Sequence, residues 1–288
     1  MHASLRSAGF ALAASVSLAS QALPAHASTA VHPSDAGVAA RPAAVQVHVR
    51  TMKDGVTRSR NGFRPGNTVF TVRRGTSGGS VEVLRLRHGY TIRDFKKDAQ
   101  GIFSGDPKLV RRVDRHVVFY GGAQARRGTV NKFGVHLGLG HYYLFNLDKG
   151  TYTSLHTRGP VQHRGLPHPT ASISYAKGNS FAVGGRLQAH SWVRQVNHTD
   201  EPHFTDLNRI KKGTTRHQVK RWFHNGAKGQ PRWALRYYRE DLVLSPGRSL
   251  VWYVDARPGR YLEACWFPSD ENGMPHALMG MWGLTRLH

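Results

Sequence analysis

The chain has a single cysteine, Cys265, among 288 residues. One thiol cannot close a disulfide within the chain, so no covalent staple holds the fold. Three fates are open to it: a small buried hydrophobe, an intermolecular bridge, or a metal ligand. Acid is scarce as well. Only 17 Asp and Glu stand against 41 Lys and Arg, a formal charge of +24. Such a field attracts polyanions: nucleic acid, anionic envelope polymers, an acidic redox partner or an anionic lipid surface. The basic residues are scattered through both halves with no nucleic-acid motif beside them, which reads as general surface charge with no specific nucleic acid implied. Beyond the N-terminus no run approaches the roughly 18 apolar residues that span a membrane. A phosphate-binding glycine loop, a paired-carboxylate motif and a zinc-protease helix are all missing.

What is present begins with an export signal over residues 1–27: Arg6, an apolar stretch from Ala8 to Ala19, then Ala25-His26-Ala27 as the cleavage site. The expected product is secreted, extracellular or periplasmic. Residues 28–44 are rich in Ala, Ser, Pro and His without periodicity and read as a flexible leader. The remainder, about 260 residues after the signal, is long enough for one large domain or two ordinary ones.

Short runs of Val, Thr, Tyr, Phe and Trp, punctuated by 31 glycines and 14 prolines, favour β structure. Val45-Gln-Val-His-Val-Arg and Thr68-Val-Phe-Thr-Val-Arg alternate as half-buried strands do. The two halves then repeat one plan. Val81 to Gly89 and Thr91 leads into Ile92-Arg-Asp-Phe; Phe204 to Gly213 and Thr215 leads into Arg216-His-Gln-Val. Each reads as strand, glycine turn, threonine N-cap and short helix, the hydroxyl accepting from an orphan N–H of the first turn. Leu139-Gly140 and Pro258-Gly259 each feed an apolar strand. This order predicts an internal duplication, with halves at 45–160 and 181–288 and a linker at 161–180.

The densest chemistry lies near the end. From Cys265 to Met281, 17 residues hold one thiol, the imidazole of His276 and the thioethers of Met274, Met279 and Met281. These soft donors suit copper far better than magnesium or calcium. Pro258-Gly259 and an apolar strand ending in Cys265, a Met-Pro-His loop, a closing strand from Met281, and the upstream run Trp192 to His203 together resemble the cupredoxin family. The likeness covers 181–288, and the first half is similar to a more diverged copy.

The resemblance implies an all-β fold of two tandem Greek-key β sandwiches, each with a short inserted helix. It also implies one type 1-like copper, held by His203, Cys265, His276 and Met281, with Met279 as the alternative axial ligand. His198 reads as a solvated loop residue, and His163 and His168 as surface residues of the linker. Aligning glycines sets Gly79 opposite His203 and Asn146 opposite Cys265, so the first copy is expected to lack the metal. One departure from the family stands out: ten residues, Trp266 to Pro275, separate Cys265 from His276, where the family keeps only a few. Ala264 and Trp266 flank the cysteine, and the family's oxidases and nitrite reductases place a histidine there. The expectation is therefore not an enzyme but electron transfer to a redox partner protein, or copper handling. The alternative is a metal-free module presenting its basic surface to an anionic cell-envelope polymer.

Overall fold

Alternation of apolar and polar residues writes the strands. In β1 (Val45–Met52), Val45, Val47 and Val49 are buried while Gln46, His48 and Arg50 face water. A computed structural model describes residues 43–240 and 242–288; the expected signal and all but the last two leader residues lie outside the described residues. The first half continues with β2 (Gly55–Arg58), β3 (Gly62–Phe63), β4 (Gly66–Arg74) and β5 (Gly79–Leu86). Two helices follow, α1 (Ile92–Ala99) and α2 (Pro107–His116), then β6 (Val117–Ala125), β7 (Val130–Leu137), β8 (Gly140–Asn146) and β9 (Thr151–Thr157). The second half opens with β10 (Ala171–Ala176), β11 (Ser180–Gly185), β12 (Ser191–Asn197) and β13 (Asp206–Ile210). It closes with α3 (Arg216–His224), β14 (Ala234–Glu240), β15 (Ser249–Val254), β16 (Gly259–Ala264) and β17 (Trp282–Leu287).

The pairing repeats. β1 runs antiparallel to β2 and parallel to β4, which pairs antiparallel with β7; β10 does the same with β11 and β12, and β12 with β15. On the other layer β5 lies between β6 and β8, and β8 pairs β9. Likewise β13 lies between β14 and β16, and β16 pairs β17. The chain crosses between layers instead of returning to its neighbour, giving two Greek-key β sandwiches in tandem. They share a layer: β15 pairs β7 at Leu250–Val135, Val251–Gly134 and Trp252–Phe133, so one eight-stranded sheet runs through both halves.

The helices are inserted at equivalent places. Thr91 accepts from the Asp94 N–H and Thr215 from the Gln218 N–H, and each helix returns the bond in a capping box. Two features differ from the sequence reading. The first half carries a second helix, α2, begun by the Asp106 side chain as cap with Pro107 behind it. The stretch 161–180, read as linker, contains β10, whose alternate residues Ala171, Ile173 and Tyr175 are buried; its Ala-Ser-Ile-Ser-Tyr-Ala alternation is a strand signal.

Candidate metal centre

Cys265 is the first residue past β16, fully buried. Its N–H donates to the Met281 carbonyl at 3.2 Å and its own carbonyl accepts from Ala277 N at 2.6 Å. Those bonds bring both ends of the Cys265–Met281 segment together. The long excursion between them closes on itself. His276 N donates to Phe267 O at 2.9 Å, Ser269 N to Met274 O at 2.9 Å, and Pro268 bridges Pro275. The extra residues thus form a small hairpin whose feet stand side by side, and His276 emerges next to Cys265 as it would from a short loop. The first half holds the hairpin's tip: Arg111 of α2 donates to the Asp270 carbonyl, and Phe103 meets Phe267 edge-on at 6.3 Å. Gly273 packs on Gly105 with φ 74°, and a Cβ there would fall on the Gly105 carbonyl.

His203 arrives from the other side. Asn197, fully buried, donates to the carbonyls of Glu201 and Leu244, both at 2.8 Å, and accepts from Thr199 N at 2.9 Å, which fixes the turn between β12 and β13. His203 then exchanges backbone bonds with Leu244, at 3.2 and 2.8 Å, while its ring meets Tyr175 edge-on at 5.5 Å. His203, Cys265 and His276 converge, all buried, with their donor atoms within 4.8 Å of one another. Cys265 Sγ lies 3.5 Å from His203 Nδ1 and 3.6 Å from His276 Nδ1. A first-row ion bonded at about 2.0 Å to imidazole and about 2.3 Å to thiolate spans such separations at an angle of about 110°. The donor set therefore fits a metal ion.

The electrostatics suit the same role. Burial, aided by the neighbouring His276, pushes the His203 imidazole down to about 3, so the ring stays neutral and its lone pair is available. His276 turns its other nitrogen, Nε2, to the Glu201 carboxylate, leaving Nδ1 toward the sulfur. Burial alone would raise the Glu201 carboxyl, but bonds from His276, Asp270 and Ser269 outweigh it and hold it at about 2. A carboxylate behind a ligand imidazole fixes its tautomer and raises its basicity. Sequence reasoning gave Glu201 no role: it sits two places before His203 but serves His276, 75 residues on.

The remaining expected residues separate. Met281 is fully buried, and its N–H donates to the His276 carbonyl at 2.9 Å, so its backbone is tied to two of the three donors. Met279 lines a cleft of about 320 Å³ over His203, together with Glu201 and Ser269. Met274 stands 45% exposed on the hairpin, and His198, His163 and His168 are exposed. In the first half Val81 pairs Asn146, and a Cβ added to Gly79 would strike the Asn146 amide, so the residues opposite His203 and Cys265 are also neighbours. Asn146 is spent on a turn, accepting from Asp148 N at 3.1 Å, and only Leu147 to Gly150 join β8 to β9. Among the described residues, the one His/Cys/Asp/Glu group with metal-ligand spacing is the one in the second half.

No protein-family model matches the chain, and no curated protein matches it. Among solved structures, auracyanin B is similar at 22% identity over 43% of this chain and 92% of its own, with a TM-score of 0.26. Auracyanin A, a "blue" copper protein from Chloroflexus aurantiacus, follows at 14% identity, 41% and 96% coverage and TM-score 0.25. A multicopper oxidase shares 10% identity over 84% of this chain and 88% of its own, at TM-score 0.22. At these scores the likenesses decide nothing, and the fold rests on the strand pairings. No helix among the described residues is long and apolar enough to cross a membrane.

Proposed function

We propose that the second half binds one copper ion through His203, Cys265 and His276, with the Met281 thioether as a weak fourth ligand, and that the protein transfers electrons or handles copper without catalysing a reaction. The observation that carries this is the convergence of two imidazoles and one thiol, all buried, on one point. Two histidines and a cysteine with a distant thioether are the donors of a blue-copper centre, whereas a structural zinc site takes four full ligands. Soft sulfur supports Cu(I), imidazole serves both oxidation states, and the bound ion supplies a one-electron couple. What this chain's residues do is hold that donor set still: the hairpin fixes His276, Asn197 fixes His203, and Glu201 fixes a ring tautomer. A rigid set needs little rearrangement when an electron passes.

In this reading 45–160 is a degenerate copy that lost its donors at Gly79 and Asn146, 181–288 with β10 is the copper copy, and the rest of 161–180 links them. The first copy's role is to brace the hairpin through Arg111 and Gly105. The protein is exported by its N-terminal signal, and a redox partner docks over the cleft at His203. The test is a visible spectrum with metal analysis on signal-free protein. The Cu(II) form shows an intense thiolate charge-transfer band that Cys265→Ala abolishes and that Met281→Leu shifts more than Met279→Leu does. A colourless protein that takes up neither Cu(I) nor Cu(II) refutes it. The formal charge of +24 favours a second reading, a metal-free module on an anionic envelope polymer. It predicts retention that falls steeply with salt.

A further inference from the structure

A second chamber, of about 400 Å³, opens between α3 and the outer face of the four-stranded sheet. Three indoles line it, those of Trp222, Trp233 and Trp266. Trp222 stands nearly perpendicular to both others, at 87° and 5.6 Å from Trp233 and at 78° and 6.1 Å from Trp266. The Trp222 N–H is engaged with the carbonyls of Lys228 and Gly229, at 3.3 and 3.2 Å, which fixes that wall. Leu262 and Asn208 line the sheet side. The one acid in the lining is Asp206, on β13, only 8% exposed. Its Oδ2 accepts from Asn208 Nδ2 at 2.6 Å, the Trp266 side chain in the chamber wall is a second hydrogen-bonding neighbour that lowers the carboxyl, and Oδ1 is buried with no donor at full hydrogen-bond distance. An orphaned carboxylate oxygen costs free energy unless something satisfies it.

We propose that this chamber binds a small N-methylated ammonium ion, with the indoles as its walls and Asp206 as its counterion. Methyl groups on a cationic nitrogen pack against indole faces and are drawn to their negative quadrupoles, while a remaining N–H supplies the donor that Asp206 Oδ1 lacks. A neutral sugar stacks on one flat ring; these walls cross near right angles and enclose a compact group from several sides. Two charges oppose the ligand. Arg126 acts through space on the same carboxylate, and the chain as a whole is strongly positive. The general field is screened within about 8 Å at physiological salt, so the carboxylate at the wall and the half-buried indoles decide the local balance. The site uses no copper donor and stands apart from the metal reading.

The test is calorimetric titration of metal-free protein with trimethylammonium at neutral pH, followed in parallel by indole fluorescence. One saturable site is expected. Asp206→Asn weakens it about tenfold or more, and tert-butanol, similar in size with an O–H but no charge, binds at least about tenfold more weakly than the cation. Trp233→Leu, which removes one of the three indole walls, is the second variant. Each variant is read only if it keeps the wild-type thermal transition, and either one suffices. Cys265→Ala leaves the titration unchanged, which separates this site from the copper reading. No saturable binding, equal binding of tert-butanol, tighter binding of glucose than of the cation, or wild-type affinity in a folded variant overturns the proposal.

Discussion

Removing Glu201 tests the metal centre without touching a ligand. The carboxylate accepts from His276 Nε2, from Ser269 Oγ at 3.0 Å and from Asp270 N at 3.3 Å. It therefore ties the ligand ring to the hairpin that delivers it. Glu201→Ala leaves the three donors in place but removes the acceptor of His276 Nε2 and frees the ring to turn. Loss of such a partner lowers metal affinity about 10- to 100-fold, or about 1.4–2.7 kcal/mol. Copper affinity is measured by competition against a chelator of known strength. Glu201→Gln, which keeps an acceptor but not the charge, falls between wild type and Ala. Glu271→Ala is the control: this exposed carboxylate lines the same cleft, so it removes the same charge and leaves affinity near wild type. If Glu201→Ala and Glu271→Ala bind copper equally, the carboxylate acts only through the general field and the orienting role is wrong.

Two further outcomes follow from the same structure. Gly273→Ala puts a Cβ on the Gly105 carbonyl at a left-handed φ of 74° and is expected to cost about 1–3 kcal/mol of stability, read as a lower urea midpoint; an unchanged midpoint means the hairpin does not lean on the first half. Burial, with the neighbouring Asp206 charge and against Arg126, lifts the Glu240 carboxyl from 4.5 to about 8. Its proton is held in the folded state and lost in the unfolded one between those values, so stability falls as pH rises from about 4.5 to about 8. Glu240→Gln flattens that fall, and parallel stability–pH curves for the two proteins would contradict the assignment.

The strands and caps were legible because each is a local signal. Alternation in Val45–Arg50 places every second valine inside, and Thr91 and Thr215 stand where a helix start needs an acceptor. The repeat was legible from turn glycines, since Gly140 and Gly259 both open a strand with positive φ. β10 is obscured in the sequence by the proline- and glycine-rich run before it, which reads as linker, although its own alternation is plain. Glu201 was illegible for a different reason: a hydrogen bond to a residue 75 places away leaves no periodicity behind it.

The sequence by itself determined which side chains with soft donors exist, that the one thiol lies in the second half, and that His276 and three methionines follow it within 16 residues. Chemistry follows from residue type, which needs no coordinates. Only the tertiary structure decided whether the ten residues from Trp266 to Pro275 carry His276 away from Cys265 or return it. They return it because the Phe267–His276 and Ser269–Met274 bonds close the excursion at its feet, and because residues of the other half grip its tip. Loop length alone could not reveal this, since distance along a chain and distance across a closed hairpin are different quantities.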